Sequence, residues 1–156
     1  MKNFESVNGG KAGDLIAGNA AANTLDGFGG NDFLYGGLGV DSLTGGTGSD
    51  TFVYLATKES GLTRTTRDTI FGFEGAGAPG GDKIDLEAID ADTTKVGNDA
   101  FSLIDPNLAF TAAGQLRTVI QDGNTILQGD VNGDGKADFS IAVVGTQAFD
   151  IDDFVL

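Results

Sequence analysis

Cysteine and histidine are both absent from this chain of 156 residues. Without cysteine there is no disulfide framework and no thiolate chemistry, and the redox compartment stays open. Without histidine the chain loses the commonest zinc ligand and the commonest general base. An H-E-x-x-H metalloprotease helix is excluded for the same reason. Basic residues are scarce, nine against 23 acidic, for a net charge of −14. Such a surface disfavours nucleic acid and anionic membranes and favours cations. No apolar run is long enough to span a bilayer. The opening MKNFES has no apolar core of a secretory leader, so an exported chain would need another address.

What the chain has in excess is glycine, at 26 residues, and its excess falls into a period. Residues 9–53 divide into five consecutive nine-residue units. Two of them, GGLGVDSLT (36–44) and GGTGSDTFV (45–53), follow G-G-x-G-x-D-x-U-x throughout, with U a large apolar residue. Before them come GFGGNDFLY (27–35), GNAAANTLD (18–26) and GGKAGDLIA (9–17). The sixth places hold Asp14, Asn23, Asp32, Asp41 and Asp50, and the eighth hold Ile16, Leu25, Leu34, Leu43 and Phe52. A flexible acidic linker would not keep an apolar residue at every ninth place.

Six residues such as GGxGxD make a turn, because glycine accepts positive φ and lets the backbone approach an ion closely. The next three, x-U-x, form a short strand whose middle side chain points to one face. Two units complete one coil, so each turn stacks on the turn 18 residues later. Calcium takes six to eight oxygens, and two stacked turns offer carbonyls plus one carboxylate each. The spacing therefore pairs Asp14 with Asp32 and Asp32 with Asp50 on one side, and Asn23 with Asp41 on the other. Roughly three ions fit, one per stacked pair. The glycines whose turns supply carbonyls are Gly9, Gly10, Gly27, Gly29, Gly30, Gly36, Gly37, Gly39, Gly45, Gly46 and Gly48. A core of five apolar side chains is small for 45 residues, and the carboxylates repel one another, so folding and calcium binding are expected to be one event.

After the repeats, residues 54–67 form a polar loop. Asp68 then lies 18 residues after Asp50, and Ile70 lies 18 after Phe52, which predicts a further coil with the Asp68 turn stacked on the Asp50 turn. Glu59, nine residues after Asp50, is placed to cap Asp41. DTIFGF (68–73) and DKIDL (82–86) read as strands. The glycine-rich stretch 74–81 between them has no lysine placed as in a phosphate-binding loop. Residues 115–121 and 125–128 flank a tight turn at 122–124, and Phe139, Ile141 and Val143 alternate with Ser140 and Ala142 as in a strand.

DVNGDGKAD (130–138) resembles the first nine places of an EF-hand loop, with Asp130, Asn132, Asp134, Lys136 and Asp138 at ligand positions. Its twelfth place is Ile141 rather than glutamate, and no flanking helices are evident. A hairpin turn rich in Asp, Asn and Gly has the same composition. Both readings stay open on the sequence.

The nonapeptides mark the repeats-in-toxin pattern. With D-x-I-x-x-F (68–73), DKIDL (82–86) and the terminal DFVL (153–156), the chain from Gly9 onward resembles the C-terminal β-roll domain of serralysin-type secreted metalloproteases and related type I secretion substrates. That resemblance implies an all-β fold, a right-handed parallel β-roll with a β-rich C-terminal cap. Its divisions are a lead-in at 1–8, the roll at 9–53 and the cap at 54–156. It implies several Ca²⁺ ions, a non-catalytic role beside an upstream catalytic domain, and extracellular destiny through a type I secretion apparatus that reads the C-terminus. The R-modules of alginate epimerases are similar in size and layout, which makes an anionic polysaccharide the alternative partner. Under that reading Lys58, Arg64, Arg67 and Arg117 are candidate sugar contacts.

Overall fold

The computed structural model describes residues 5–78 and 80–156. The end of each nine-residue unit is a strand: β2 (Leu15–Ala17), β3 (Asn23–Asp26), β4 (Phe33–Tyr35), β5 (Ser42–Thr44) and β6 (Thr51–Val53). The lead-in adds β1 (Glu5–Asn8). Successive strands go to opposite sheets, and each pairs in parallel with the strand one coil away. Glu5 lies opposite Asn23, Leu15 opposite Phe33, Thr24 opposite Ser42 and Phe33 opposite Thr51. The 18-residue coil is therefore the register of the repeat block.

Beyond β6 the register changes. β7 (Thr69–Phe71) pairs with β5, Ile70 opposite Leu43, and β8 (Lys83–Asp85) pairs with β6, Ile84 opposite Phe52. The expected stacking of Asp68 on Asp50 is thus overturned. Strands alternate between sheets, so the element after β6 must land on the β5 side. Residues 54–68, which include a 3-10 turn at Thr57–Glu59, make that single crossing with extra loop. They do not make the two crossings of a full coil.

The cap continues both sheets. β9 (Ser102–Leu103), β10 (Gln115–Gln121), β11 (Asn124–Asp130) and β12 (Phe139–Val143) extend the first sheet, whose order is β1-β3-β5-β7-β12-β11-β10-β9. β12 is parallel to β7, with Val143 opposite Ile70, and antiparallel to β11. The β10–β11 hairpin turns at Asp122 and Gly123, φ 53° and 79°, as a two-residue turn with both residues left-handed. β13 (Phe154–Val155) ends the second sheet, pairing in parallel with β8 in the order β13-β8-β6-β4-β2.

Two apolar columns fill the roll. Leu25, Leu43, Ile70 and Val143 rise in one sheet, and Ile16, Leu34, Phe52, Ile84 and Phe154 in the other, all buried. Each contributes about 1.5–3 kcal/mol by leaving water. Phe52, Phe73, Phe149 and Phe154 form a chain of rings, with successive centroids 6.0, 5.0 and 5.6 Å apart, that closes the last coil.

Candidate metal site

The sixth-place side chains stand in two columns, one along each edge of the roll, half-buried at Asp14 and buried from Asn23 onward. In each column the Oδ1 of one aspartate accepts the backbone N–H of the sixth-place residue one coil earlier. Asp32 Oδ1 accepts from Asp14 at 2.7 Å, Asp50 Oδ1 from Asp32 at 2.9 Å, and Asp41 Oδ1 from Asn23 at 2.8 Å. The added coil extends both. Asp68 Oδ1 accepts from Asp41 at 2.8 Å, and Asp82 Oδ1 accepts from Asp50 at 2.9 Å. One column therefore runs Asp14, Asp32, Asp50, Asp82, and the other Asn23, Asp41, Asp68.

The second carboxylate oxygen is the informative one. Oδ2 of Asp32, Asp41, Asp50 and Asp68 is buried with no hydrogen-bond partner. A buried anionic oxygen without a donor costs free energy that a cation returns. Burial is the main cause that pushes the Asp41 carboxyl up to about 6 and the Asp68 carboxyl up to about 8. It raises the Asp50 carboxyl as well. In Asn23, Oδ1 accepts the Asn19 N–H and the buried Nδ2 is left without a partner.

Main-chain carbonyls converge on the same spaces. Gly39, at φ 135°, lies so close to the turn one coil earlier that a Cβ there would stand 2.6 Å from the Ala21 carbonyl oxygen. Gly48, at φ 137°, crowds the Gly30 carbonyl in the same way. Only glycine meets both the left-handed backbone and this approach. Phe28 takes the place that Gly37 and Gly46 hold in later units and is still held at φ 69°, with its ring turned to solvent. No group of three or more acidic side chains gathers at one point among the described residues. An ion here would draw on carbonyls with single carboxylates, and the donor set is all oxygen, which suits a hard cation such as calcium. The residues fit the ion.

One further carboxylate lies beside the Asn23–Asp41–Asp68 column. Glu59 is buried beside Asp41; its Oε1 accepts the Tyr35 hydroxyl at 2.9 Å and its Oε2 the Leu55 N–H at 2.8 Å. The Tyr54 hydroxyl is buried against the Asp68 carboxylate, close enough to interact with it but outside hydrogen-bond geometry. Burial, with the charges of Asp68 and Asp41 behind it, raises the tyrosine pKa well above its usual value.

Asp82 is the column residue that the spacing argument missed. Its Oδ2 accepts the Glu74 N–H at 2.9 Å, and burial pushes its carboxyl up to about 6. The signal was present: Asp82-Lys-Ile84 keeps the D-x-U triplet of the repeats, as Asp68-Thr-Ile70 does.

The 130–138 loop is arranged differently. Asp130 is buried, and its two oxygens accept the N–H groups of Asn132, Gly133 and Gly135. Asp138 accepts from the Val131 N–H and the Asn132 amide, Asn132 Oδ1 accepts the Asp134 N–H, and Asp134 Oδ1 the Lys136 N–H. These side chains brace a turn between β11 and β12, with none of the orphaned oxygens of the columns. Of the basic residues, Lys58 and Arg64 are exposed, Arg67 is buried in a cleft that Arg64 also lines, and Arg117 lies apart over the Phe110 ring at 4.4 Å.

A family model described as the peptidase M10 serralysin C terminal matches residues 2–156. Two solved structures are similar along the chain. The AlgE6R3 subunit of the Azotobacter vinelandii mannuronan C5-epimerase is 29% identical with a TM-score of 0.64, covering 99% of this chain and 80% of that one. The AlgE6R2 subunit of the same epimerase is 26% identical with a TM-score of 0.61, covering 99% and 91%. No curated protein sequence matches the chain.

Proposed function

The chain belongs to the peptidase M10 serralysin C-terminal family, and from that premise we propose that it is a non-catalytic module that folds around calcium after leaving the cell. The observation that carries this reading is the set of buried, partnerless Oδ2 atoms on Asp32, Asp41, Asp50 and Asp68, each in register between stacked turns. Bound calcium would supply positive charge to those oxygens and to the carbonyls around them. The chain's own part is to present them. Oδ1 of each aspartate straps one turn to the next, the glycines bring carbonyls to the gap, and the apolar columns set the turn spacing. Asp14, Asn23, Asp32, Asp41, Asp50, Asp68 and Asp82 are the proposed side-chain ligands, with Glu59 beside the second column. The gaps are three in the Asp14 column and two in the Asn23 column, more than the three that the repeats alone imply.

Calcium is scarce in the cytosol and abundant outside. A module with dissociation constants of about 10⁻⁴–10⁻³ M stays unfolded inside and folds by mass action once exported. This suits passage through a type I exporter that reads the C-terminus, and stabilisation of a catalytic or adhesive domain joined to the module. Circular dichroism tests the reading. In chelator the chain is expected to be largely disordered and to become β-structured in millimolar calcium, with magnesium a poor substitute because it prefers small octahedral sites. An unchanged β spectrum in chelator would refute it.

A second reading is polysaccharide binding. It is supported by the likeness to two R subunits of a mannuronan C5-epimerase across nearly the whole chain.

A further inference from the structure

Arg67 is the exception to the chain's electrostatics. It is 8% exposed, in a molecule where acidic residues outnumber basic ones by 23 to nine, yet it makes no ion pair among the described residues. Its Nη2 donates to the Leu62 carbonyl at 2.8 Å and its Nη1 makes a long contact of 3.4 Å to Gln121 Oε1. Its Nε is buried and has no partner. Taking a guanidinium out of water costs several kcal/mol unless an anion answers it. Here burial only lowers its pKa from the usual arginine value.

Arg67 lines a cleft of about 280 Å³ on the outer face of the first sheet, over β7, β11 and β12. The floor is apolar, with Phe71, Ile126 and Val144, and Phe71 is 40% exposed. Gln121, Asp122 and Asn124 stand on the rim. Asn124 Oδ1 already accepts the Gly145 N–H, which leaves its amide hydrogens to donate. Arg64, beside them, is exposed and only 3.8 Å from Asp122, a weak surface pair that an incoming anion can share.

We propose that this cleft is a subsite for the carboxylate of a uronate sugar unit, seated on Arg67 with Arg64 at the entrance. One buried planar guanidinium suits a single carboxylate, which it grips through paired N–H donors. A phosphate dianion would meet Asp122 and the field of a chain at −14. An apolar floor ringed by amides and a carboxylate matches a sugar ring, apolar on its face and hydroxylated at its edge. The volume is at the small end for ligand pockets, enough for a short stretch of a polymer. The proposal rests on the polysaccharide reading above and adds to it a place and a recognised group.

The test is calorimetry at saturating calcium, with buffer matched in cell and syringe. The probes are a short oligomannuronate, a neutral oligosaccharide of equal length and inorganic phosphate. The wild type is expected to bind the uronate saturably, more weakly as salt rises, and neither of the other two. Arg67→Met should weaken uronate binding about tenfold or more while keeping the calcium-folded spectrum, since it removes a charge-assisted contact. Phe71→Ala, on the exposed floor, should weaken it several-fold. Lys95→Met, at an exposed lysine whose partner Asp92 lies outside the cleft, should leave it unchanged. Uronate binding that survives both Arg67→Met and Phe71→Ala overturns the subsite and leaves the polysaccharide reading standing. A folded wild type that binds no uronate overturns both. Equal binding of the neutral sugar or of phosphate overturns the carboxylate assignment. An Arg67→Met chain that fails to fold passes the decision to Phe71→Ala.

Discussion

At the scale of single residues, the added coil turns on two aspartates that the nonapeptide period does not contain. Asp68 and Asp82 each give Oδ1 to the turn one coil earlier, and both are buried. Asp68→Ala and Asp82→Ala are each expected to remove about one calcium from the stoichiometry measured by calorimetry. Asp99→Ala, outside both columns, should remove none. An unchanged count in either column variant would show that the added coil holds no ion on that side. The five sixth-place residues were legible because the repeat is local: glycine, acid and apolar residue recur at fixed offsets. Asp68 was legible as a residue but not in its partner. Its distance in sequence from Asp50 matches a coil, whereas its place in the sheet is decided by how many times residues 54–68 cross the roll.

At the scale of the elements, each column is a ladder of carboxylates whose protonation is coupled to folding. Asp41 and Asp82, held up to about 6, and Asp68, held up to about 8, bind protons more tightly folded than unfolded. Groups of this kind favour the folded chain as pH falls from about 8 towards the ordinary carboxylate range, and withdraw that support as pH rises again. In calcium-depleted buffer the β signal in circular dichroism should therefore be greater near pH 5 than at pH 8. With calcium present the order should reverse, because binding requires the carboxylates ionised and releases their protons. A calcium-depleted signal that grows from pH 5 to pH 8 would contradict this account of the columns.

At the scale of the molecule, the two sheets are finished by different parts of the cap. β12 covers β7 on one side, and the short β13 covers β8 on the other, with Phe154 opposite Ile84 and its ring against Phe149 at the end of the ring chain. Phe154→Ala should cost about 3–5 kcal/mol, the usual range for emptying a buried phenylalanine site. Because folding and calcium binding are linked, that loss should appear as a higher calcium midpoint in a titration followed by circular dichroism. A midpoint equal to the wild type would show that β13 is a passive edge.

The sequence alone determined the 18-residue coil and the places of the five sixth-place residues along it. These depend on contacts between identical neighbours at one fixed separation, so a period in the residues is a period in space. It also carried the β10–β11 hairpin, whose turn chemistry is local. Only the tertiary structure decided the rest: Asp68 beneath Asp41 rather than Asp50, Asp82 in the vacant place, and the burial of Arg67 with no ion pair among the described residues. Each depends on where an irregular loop returns the chain. A loop's path is set by the packing at its ends, which no spacing within it records.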